Sequence, residues 1–357
     1  MFDNTAMLVE KNIPLQSINT FHIAVNARAL VRIASESDVQ ALLGDPEWAQ
    51  VPKFVLGGGS NVVLTADVRQ LVLKVEIKGK RLVHETANAF VVEAGAGENW
   101  HDFVTWTLAQ GYAGLENMAL IPGTVGAAPV QNVGAYGVEL QDRFDSLEAI
   151  DLSTGRLLTL NAAQCAFAYR DSVFKHSGLM LTALGQPVQG LKDQALIVRV
   201  RFALPKPWRP VLGYADIEHK MAECGGHQAG AQQIFDWVCA IRRAKLPDPQ
   251  VLGSAGSFFK NPTVTSEQCA NILAHTPDLV HYPLPDGSVK LAAGWLIDAC
   301  GWRGKSMGQV AVYEKQALVL VNRGSGSGAD IIRLAQAIQT SVFERFDITL
   351  EMEPVVV

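Results

Sequence analysis

The apolar positions of this chain change their period several times, and each change marks an element. Lys53–Leu56 and Leu71–Val75 are short apolar runs that predict buried strands, and Phe90–Ala94 predicts another. Leu196–Leu204 alternates apolar and other residues, the period of a strand. Helical spacing follows Ser35, where a capping residue precedes apolar positions over residues 35–43. Asn99 is placed to cap a helix whose apolar face is Trp100, Phe103, Val104 and Leu108, with Gly111 as its stop. Ser146–Asp151 and Arg156–Leu160 predict a hairpin around Ser153, Thr154 and Gly155. A helix is predicted over Ala231–Lys245, and Thr265 with Gln268 has the capping-box spacing for the next one. Leu291–Ala299 predicts a helix stopped at Gly301. Ala329–Phe346 predicts a long one with Ile331, Leu334, Ala335, Ile338, Val342 and Phe346 on one face, and Ile348–Glu351 a last short strand.

The interruptions divide the chain. Pro205, Pro207 and Pro210 surround Trp208, residues 223–230 are rich in glycine, and Pro247 with Pro249 predicts a domain boundary. Gly324–Gly328 alternates glycine and serine and predicts a surface loop. With 357 residues there is chain enough for two or three domains, and 48% hydrophobic against 18% charged residues is a globular composition. Mean hydropathy is +0.14, yet no apolar run approaches the ~20 residues of a spanning helix. Asp3 and Glu10 stand where a secretory signal would be basic and then apolar, so the expectation is a cytoplasmic protein without a membrane partner. A net charge of -5 argues against a general nucleic-acid binder but leaves room for a local phosphate pocket. Cys165, Cys224, Cys239, Cys269 and Cys300 show no C-x-x-C pair and predict reduced thiols. No metal-ligand spacing occurs among the histidines, and His101, in an amphipathic helix, is expected to be structural.

Two segments carry the chemistry. Gly57-Gly58-Gly59-Ser60-Asn61 follows a strand, and its glycines let the backbone turn sharply and bring N–H groups to an anion. A plain tight turn fits equally well, and neither G-x-G-x-x-G nor the G-K-[ST] ending of a P-loop is present. Residues 121–137, Ile-Pro-Gly-Thr-Val-Gly-Ala-Ala-Pro-Val-Gln-Asn-Val-Gly-Ala-Tyr-Gly, are nearly all small, exposing main-chain amides to any large flat cofactor. The alternative is a flexible loop, against which two prolines and several apolar residues argue.

These motifs, with Asn19-Thr20-Phe21-His22-Ile23, Tyr169-Arg170-Asp171-Ser172, Gly256-Ser257-Phe258-Phe259-Lys260-Asn261-Pro262 and Ala293-Gly294-Trp295-Leu296-Ile297-Asp298, closely resemble the UDP-N-acetylenolpyruvoylglucosamine reductase family, in its order and over nearly the whole chain. The resemblance implies an α+β fold: an FAD-binding module of the p-cresol methylhydroxylase type, made of two subdomains, plus a C-terminal α+β substrate domain. The implied limits are 1–80 and 81–246 for the two subdomains and 247–347 for the substrate domain, with 348–357 as a strand returning to the active site. It also implies FAD and NADPH as cofactors, and reduction of UDP-N-acetylglucosamine enolpyruvate to UDP-N-acetylmuramate for peptidoglycan. A monomer is expected, although no residue pattern reveals the oligomeric state.

Residue by residue, the resemblance assigns Ser257 as general acid and Arg170 as stabiliser of the enolate-like intermediate. It assigns the C-terminal glutamate too. Here the ending is Leu350-Glu351-Met352-Glu353-Pro354-Val355, with proline shifted by one place, and in a strand Glu351 and Glu353 would share a face. Distance from the preceding helix favours Glu353. FAD contacts are implied for Asn19, Thr20, Gly57, Gly58, Gly59, Ser60, Asn61, Ile121, Pro122, Gly123, Thr124, Gly126, Ala127, Gln131, Asn132, Gly134, Ala135 and Tyr136. Tyr214, Lys245, Asn261, Tyr282 and Gln316 match positions that grip the UDP-sugar; Tyr282, in His281-Tyr282-Pro283, lies in the loop region that marks the family's first type. An FAD oxidoreductase of the same fold acting on an alcohol or sugar would keep the flavin motifs but not G-S-F-F-K-N-P or A-G-W-L-I-D. A non-catalytic nucleotide-sugar module would be expected to lose Ser257, Arg170 or the glutamate, and all three are present.

Overall fold

The computed structural model describes residues 8–182, 185–224 and 229–357; Asp3 and residues 225–228 of the glycine-rich stretch lie outside them. The chain divides into two units, residues 1–13, 27–58 and 69–244 in one and 14–26, 59–68 and 245–357 in the other.

The first unit is built on two sheets. In one, the strands run in the order Val9–Pro14, Asn26–Ile33, Val68–Val75, Lys53–Leu56. Asn26–Ile33 and Val68–Val75 bury residues on both faces, which is why Leu71–Val75 reads as an apolar run rather than an alternation. Lys53–Leu56 pairs with Val68–Val75 in parallel, Lys53 opposite Leu71. Helix Glu36–Gly44 starts where the capping signal predicts: Ser35 accepts from the Asp38 N–H, and the Asp38 carboxylate accepts from the Ser35 N–H.

The second sheet is antiparallel, in the order Leu157–Asn161, Phe144–Asp151, Ala195–Pro205, Ala89–Gly95, Lys80–Glu85. Its central strand Ala195–Pro205 sends Val200, Phe202 and Leu204 into the core, and Phe202 meets Trp100 and Phe103 of helix Trp100–Ala109 at ring distances of 5.8 and 5.1 Å. The alternate positions carry charge. Arg201 bonds Glu93 at 2.7 Å and Glu148 at 2.6 Å, Arg199 lies 3.0 Å from Glu148, and Arg81 lies 2.8 Å from Glu93. This ladder crosses four strands, and the buried Glu93 and half-buried Glu148 each have a guanidinium beside them.

The second unit holds a sheet in the order Gly253–Ser257, Val319–Asn322, Val310–Val312, Ser306–Met307. Helix Gly328–Phe346 buries Ile331, Leu334, Ala335, Ile338, Val342 and Phe346, the face its spacing predicts. A smaller sheet has the order Thr263–Val264, Val289–Leu291, His281–Pro283. Helix Ser266–His275 carries the predicted Thr265–Gln268 capping box.

Four expectations change. Leu291 ends strand Val289–Leu291, and the helix after it starts two residues later, at Ala293, because the Leu291 N–H is drawn to the Pro262 carbonyl at 2.8 Å. Gly324–Gly328 is not wholly a surface loop: Gly326 and Gly328 are buried, and a Cβ on Gly328 would lie 2.1 Å from the Leu64 carbonyl oxygen. Ile348–Glu351 forms no strand. The residues run beside Phe258–Lys260 with one bridge, Phe259 to Met352, and the terminal strand is Val355–Val356, parallel to Val62–Val63. Glu351 and Glu353 consequently do not share surroundings: the Glu351 side chain is 67% exposed, and Glu353 is 9% exposed.

Candidate functional site

In the first unit, strand Lys53–Leu56 delivers Gly57 and Gly58 against the small-residue segment 121–137. A Cβ on Gly57 would stand 2.7 Å from Thr124 Oγ1, and one on Gly58 would stand 2.8 Å from Gly123 Cα. The two glycine-rich segments therefore meet backbone to backbone, a closeness only glycine allows. The 121–137 segment is not a flexible loop. The Trp100 N–H bonds Gly123 O at 3.1 Å, Val125 N–H bonds Glu98 O at 2.9 Å, and Gly126 N–H bonds Ala96 O at 2.9 Å. Within it Val125, Ala128, Pro129 and Asn132 are buried, whereas Ile121, Pro122, Gly123, Thr124, Gly126, Ala127, Gln131, Gly134, Ala135 and Tyr136 are half-buried. The segment thus has one face in the core and one face of small side chains at its surface.

Asn132 is the knot of this segment. It is fully buried in a left-handed conformation (φ 44°), its side-chain NH2 donates to Glu139 at 3.0 Å and to Ala168 O at 3.1 Å, and its Oδ1 accepts from the Gln141 N–H at 3.0 Å. Ala168 begins the turn that carries Arg170. Arg170 Nη2 donates to Gly134 O at 3.1 Å, its guanidinium lies 5.2 Å from the Tyr169 ring centre, and Ser172 Oγ donates to Val130 O at 2.6 Å. Within this one unit, then, the turn that carries Arg170 is tied to the glycine-rich segment by three hydrogen bonds, one of them from Arg170 itself.

Tyr136 and Tyr214 meet edge to face at 5.0 Å. Burial pushes the Tyr136 hydroxyl up to about 12, against the pull of Arg242, so it is neutral in ordinary buffers. Arg242, on helix Ala231–Lys245, did not stand out in the sequence. Its Nε is buried with no hydrogen-bond partner among the described residues, and burial holds its guanidinium below the usual arginine range, offset in part by Tyr136 and Cys239. The same is true of two further polar atoms, Thr124 Oγ1 and Asn117 Oδ1, which lack partners among the described residues. Asn117 otherwise donates to Tyr136 O at 2.8 Å and Val211 O at 3.0 Å. His101 is structural as expected: Nδ1 accepts from the Leu120 N–H at 3.1 Å, and the ring stacks on Phe235 at 5.4 Å.

In the second unit, Ser257 sits just beyond a β-bulge. Ser254 pairs with Val321 and Ser257 with Val319, so strand Gly253–Ser257 spends three steps against two on its neighbour. Gly256 takes the extra step at φ 72°, and the bulge turns Ser257 to an exposed position while Phe258 and Phe259 stay buried. The start of that strand is clamped by the N-T-F motif. Thr20 Oγ1 donates to Ser254 O at 2.6 Å, Ser254 N–H donates to Thr20 O at 2.9 Å, and Thr20 N–H donates to Gly59 O at 3.0 Å. Asn19 is buried and spends its amide within its own turn, on Leu15 O at 2.8 Å, Ile23 O at 3.0 Å and the Ile23 N–H at 3.0 Å.

Glu353 N–H bonds Phe258 O at 2.9 Å, and the Asn61 amide reaches Glu353 O at 3.4 Å, so the buried glutamate is held next to the strand that bears Ser257. Lys260 pairs with Glu351. Asn261 Oδ1 accepts from the Ala293 N–H at 3.0 Å, at the start of helix Ala293–Ala299, and Gln316 Oε1 accepts from the Leu318 N–H at 3.2 Å. Both amides thereby keep their NH2 groups as donors. Tyr282 is 53% exposed and lies across from Lys290, and Lys245 is exposed at the end of its helix.

Known proteins match this chain along its length. Residues 27–161 match the FAD binding domain, and residues 248–357 match the C-terminal domain of UDP-N-acetylenolpyruvoylglucosamine reductase. The UDP-N-acetylenolpyruvoylglucosamine reductase of Burkholderia mallei is 54% identical over 343 residues, 96% of this chain and 95% of its own length. The chain belongs to the UDP-N-acetylenolpyruvoylglucosamine reductase family. The Burkholderia cenocepacia reductase is 53% identical over 355 residues, 99% of this chain and 98% of its own. The crystal structure of UDP-N-acetylenolpyruvylglucosamine reductase from Thermus caldophilus shares the fold, with a TM-score of 0.64 at 22% identity over 98% of this chain and 99% of that one. The α+β architecture, an FAD-binding module followed by a separate C-terminal domain, is that of the family.

The residues of this family member fit FAD on structural grounds. Three buried polar atoms await a partner (two able to donate, Thr124 Oγ1 and Arg242 Nε), and two main-chain segments close on each other where a Cβ would keep them apart. A buried guanidinium nitrogen with no hydrogen-bond partner among the described residues fits a group that carries or develops negative charge. Arg242 had a signal in the sequence: it lies four residues after Val238 and eight after Ile234, both buried, on one helix face.

Proposed function

We propose that this protein reduces UDP-N-acetylglucosamine enolpyruvate to UDP-N-acetylmuramate, using FAD and taking hydride from NADPH, as a cytoplasmic monomer. What carries the reading is the 54% identity, over 96% of this chain, to a reductase of that name. Among the described residues no helix is long and apolar enough to cross a membrane. When bound, FAD supplies a hydride carrier between NADPH and the β-carbon of the enolpyruvyl group.

The chain's own residues do the rest. Gly57, Gly58, Thr124 and the half-buried face of 121–137 hold the cofactor, with Arg242 as a buried cation beside it. Asn19 and Thr20 act by shaping the loop at Gly59. Ser257 donates the proton that the α-carbon needs; its exposed position beyond the bulge supports this role. Arg170 holds the carboxylate on which negative charge develops, and the Tyr169 ring and Gly134 carbonyl orient its guanidinium. Glu353 is the glutamate of the site, and its burial, set against the exposure of Glu351, supports that choice. Tyr214, Lys245, Asn261, Tyr282 and Gln316 grip the UDP-sugar, Asn261 and Gln316 through their NH2 groups.

Visible absorbance tests the reading. The purified protein is expected to show flavin bands that NADPH bleaches and that the enolpyruvyl substrate restores without oxygen. Recovery by oxygen alone would leave an FAD oxidoreductase with a different substrate. Lys245→Ala is expected to weaken substrate binding about tenfold while changing turnover little, since an exposed cation contributes uniform attraction to a diphosphate. Calorimetric titration checks this, and unchanged affinity removes Lys245 from the diphosphate site.

A further inference from the structure

Lys74 lies opposite Leu56, the last residue of strand Lys53–Leu56, and its half-buried Nζ donates to the carbonyl of the next residue, Gly57. The Gly57–Gly58 peptide is trans, so its C=O and N–H point in opposite directions. With the Gly57 oxygen turned to Lys74, the Gly58 N–H is aimed to the other side of the loop. Thr124 and Gly123 wall these two residues closely. Burial draws the Lys74 ammonium below the usual lysine range; Glu76 opposes this, and Arg32 and Lys78 add to it. Glu76 is itself bonded to Arg32 at 2.8 Å. A cation kept from water favours an anion close by. Lys53, in the same sheet, offers a comparison. Burial lowers it too, but its Nζ donates to Ala49 O at 2.7 Å and Val51 O at 3.0 Å, outside either glycine-rich segment.

We propose that Lys74 is a positioning residue for the cofactor: its ammonium holds the Gly57 carbonyl from behind, so that the Gly58 N–H faces the phosphates of FAD. Without that grip the 57–58 peptide can turn its oxygen toward them, and an oxygen repels an anion. The ammonium also adds a positive charge one peptide away from the phosphates. The inference rests on the reading above that this loop holds FAD.

The test follows FAD release from the diluted holoenzyme by flavin fluorescence, and the thermal midpoint with and without added FAD. Lys74→Met, which keeps the apolar stem without the ammonium, is expected to bind FAD about 10- to 100-fold more weakly, the range of one charge-assisted hydrogen bond. Lys74→Arg, which keeps a cationic donor, is expected to recover most of that affinity. Lys74→Gln, a neutral donor, is expected to lie between the two, and it serves where the Met variant does not fold. The rise in midpoint on adding FAD depends on affinity, so it is expected to shrink in Lys74→Met. A lysine that only stabilised the fold would lower both midpoints and keep the rise. Lys53→Met, the matched control, is expected to behave in that second way. An unchanged release and rise in Lys74→Met, an Arg variant as weak as the Met variant, or an equal loss of FAD in Lys53→Met would each overturn the proposal and leave FAD binding in place. If the wild-type protein carries no FAD, or Gly58→Ala keeps full flavin, the reading of the loop fails and the proposal goes with it.

Discussion

Ser257→Ala is expected to separate the two halves of the reaction completely. NADPH should bleach the flavin at the wild-type rate, because nothing in that step needs a proton from this hydroxyl. Recolouring by the enolpyruvyl substrate should fall by about 10²–10⁴-fold, the usual share of a general acid. The structural reason is the bulge. Without the extra residue at Gly256, a strict two-residue period would put Ser257 on the opposite face of its strand. The same reasoning predicts that Gly256→Ala, strained at φ 72°, slows recolouring while keeping the hydroxyl in the chain. Rapid mixing with each reactant separately reads both effects, and normal recolouring in Ser257→Ala would remove Ser257 from the chemistry.

Gly58→Ala is expected to yield a colourless, destabilised protein. The added Cβ would stand 2.8 Å from Gly123 Cα, and its neighbour is backbone rather than the tip of a flexible side chain. Overpacking of this kind costs roughly 1–3 kcal/mol, and here the displacement falls on the two segments that would hold the cofactor. Gly178→Ala is the control, because a Cβ there has nothing within 4 Å. Flavin content per chain and the thermal midpoint with and without added FAD report the outcome. A Gly58→Ala protein with full flavin and an unchanged midpoint would mean that this close approach is not part of the cofactor site.

Local rules read much of this fold correctly. Ser35 with Asp38, Asn99, and Thr265 with Gln268 each begin a helix where their side chains can cap it, since capping needs only a few adjacent residues. The long helix Gly328–Phe346 was equally legible, because its six apolar positions keep one spacing. What failed depends on partners far along the chain. Period-two reasoning put Glu351 and Glu353 on one face, but that argument needs a regular ladder, and here a single bridge at Met352 replaces it. The extra step before Ser257 was hidden for the same reason, as only the pairing with Val319 and Val321 reveals it. Arg242 carries no motif of its own, and only its place on the helix face of Ile234 and Val238 marks it. The 2.8 Å contact of His176 Nε2 with the Asp171 carboxylate, five residues away, shows only once the 170–176 turn is closed.

The second unit is threaded together from three stretches of chain, 14–26, 59–68 and 245–357. Asn322 donates to Phe21 O at 3.0 Å across 301 residues of sequence, and Val355–Val356 lies along Val62–Val63. A gene cut at Pro247 would therefore not release a portable module. The fragment would carry an amide and two strand edges whose mates stay behind on the other piece. Engineers who wish to swap its specificity should accordingly graft side chains rather than the segment.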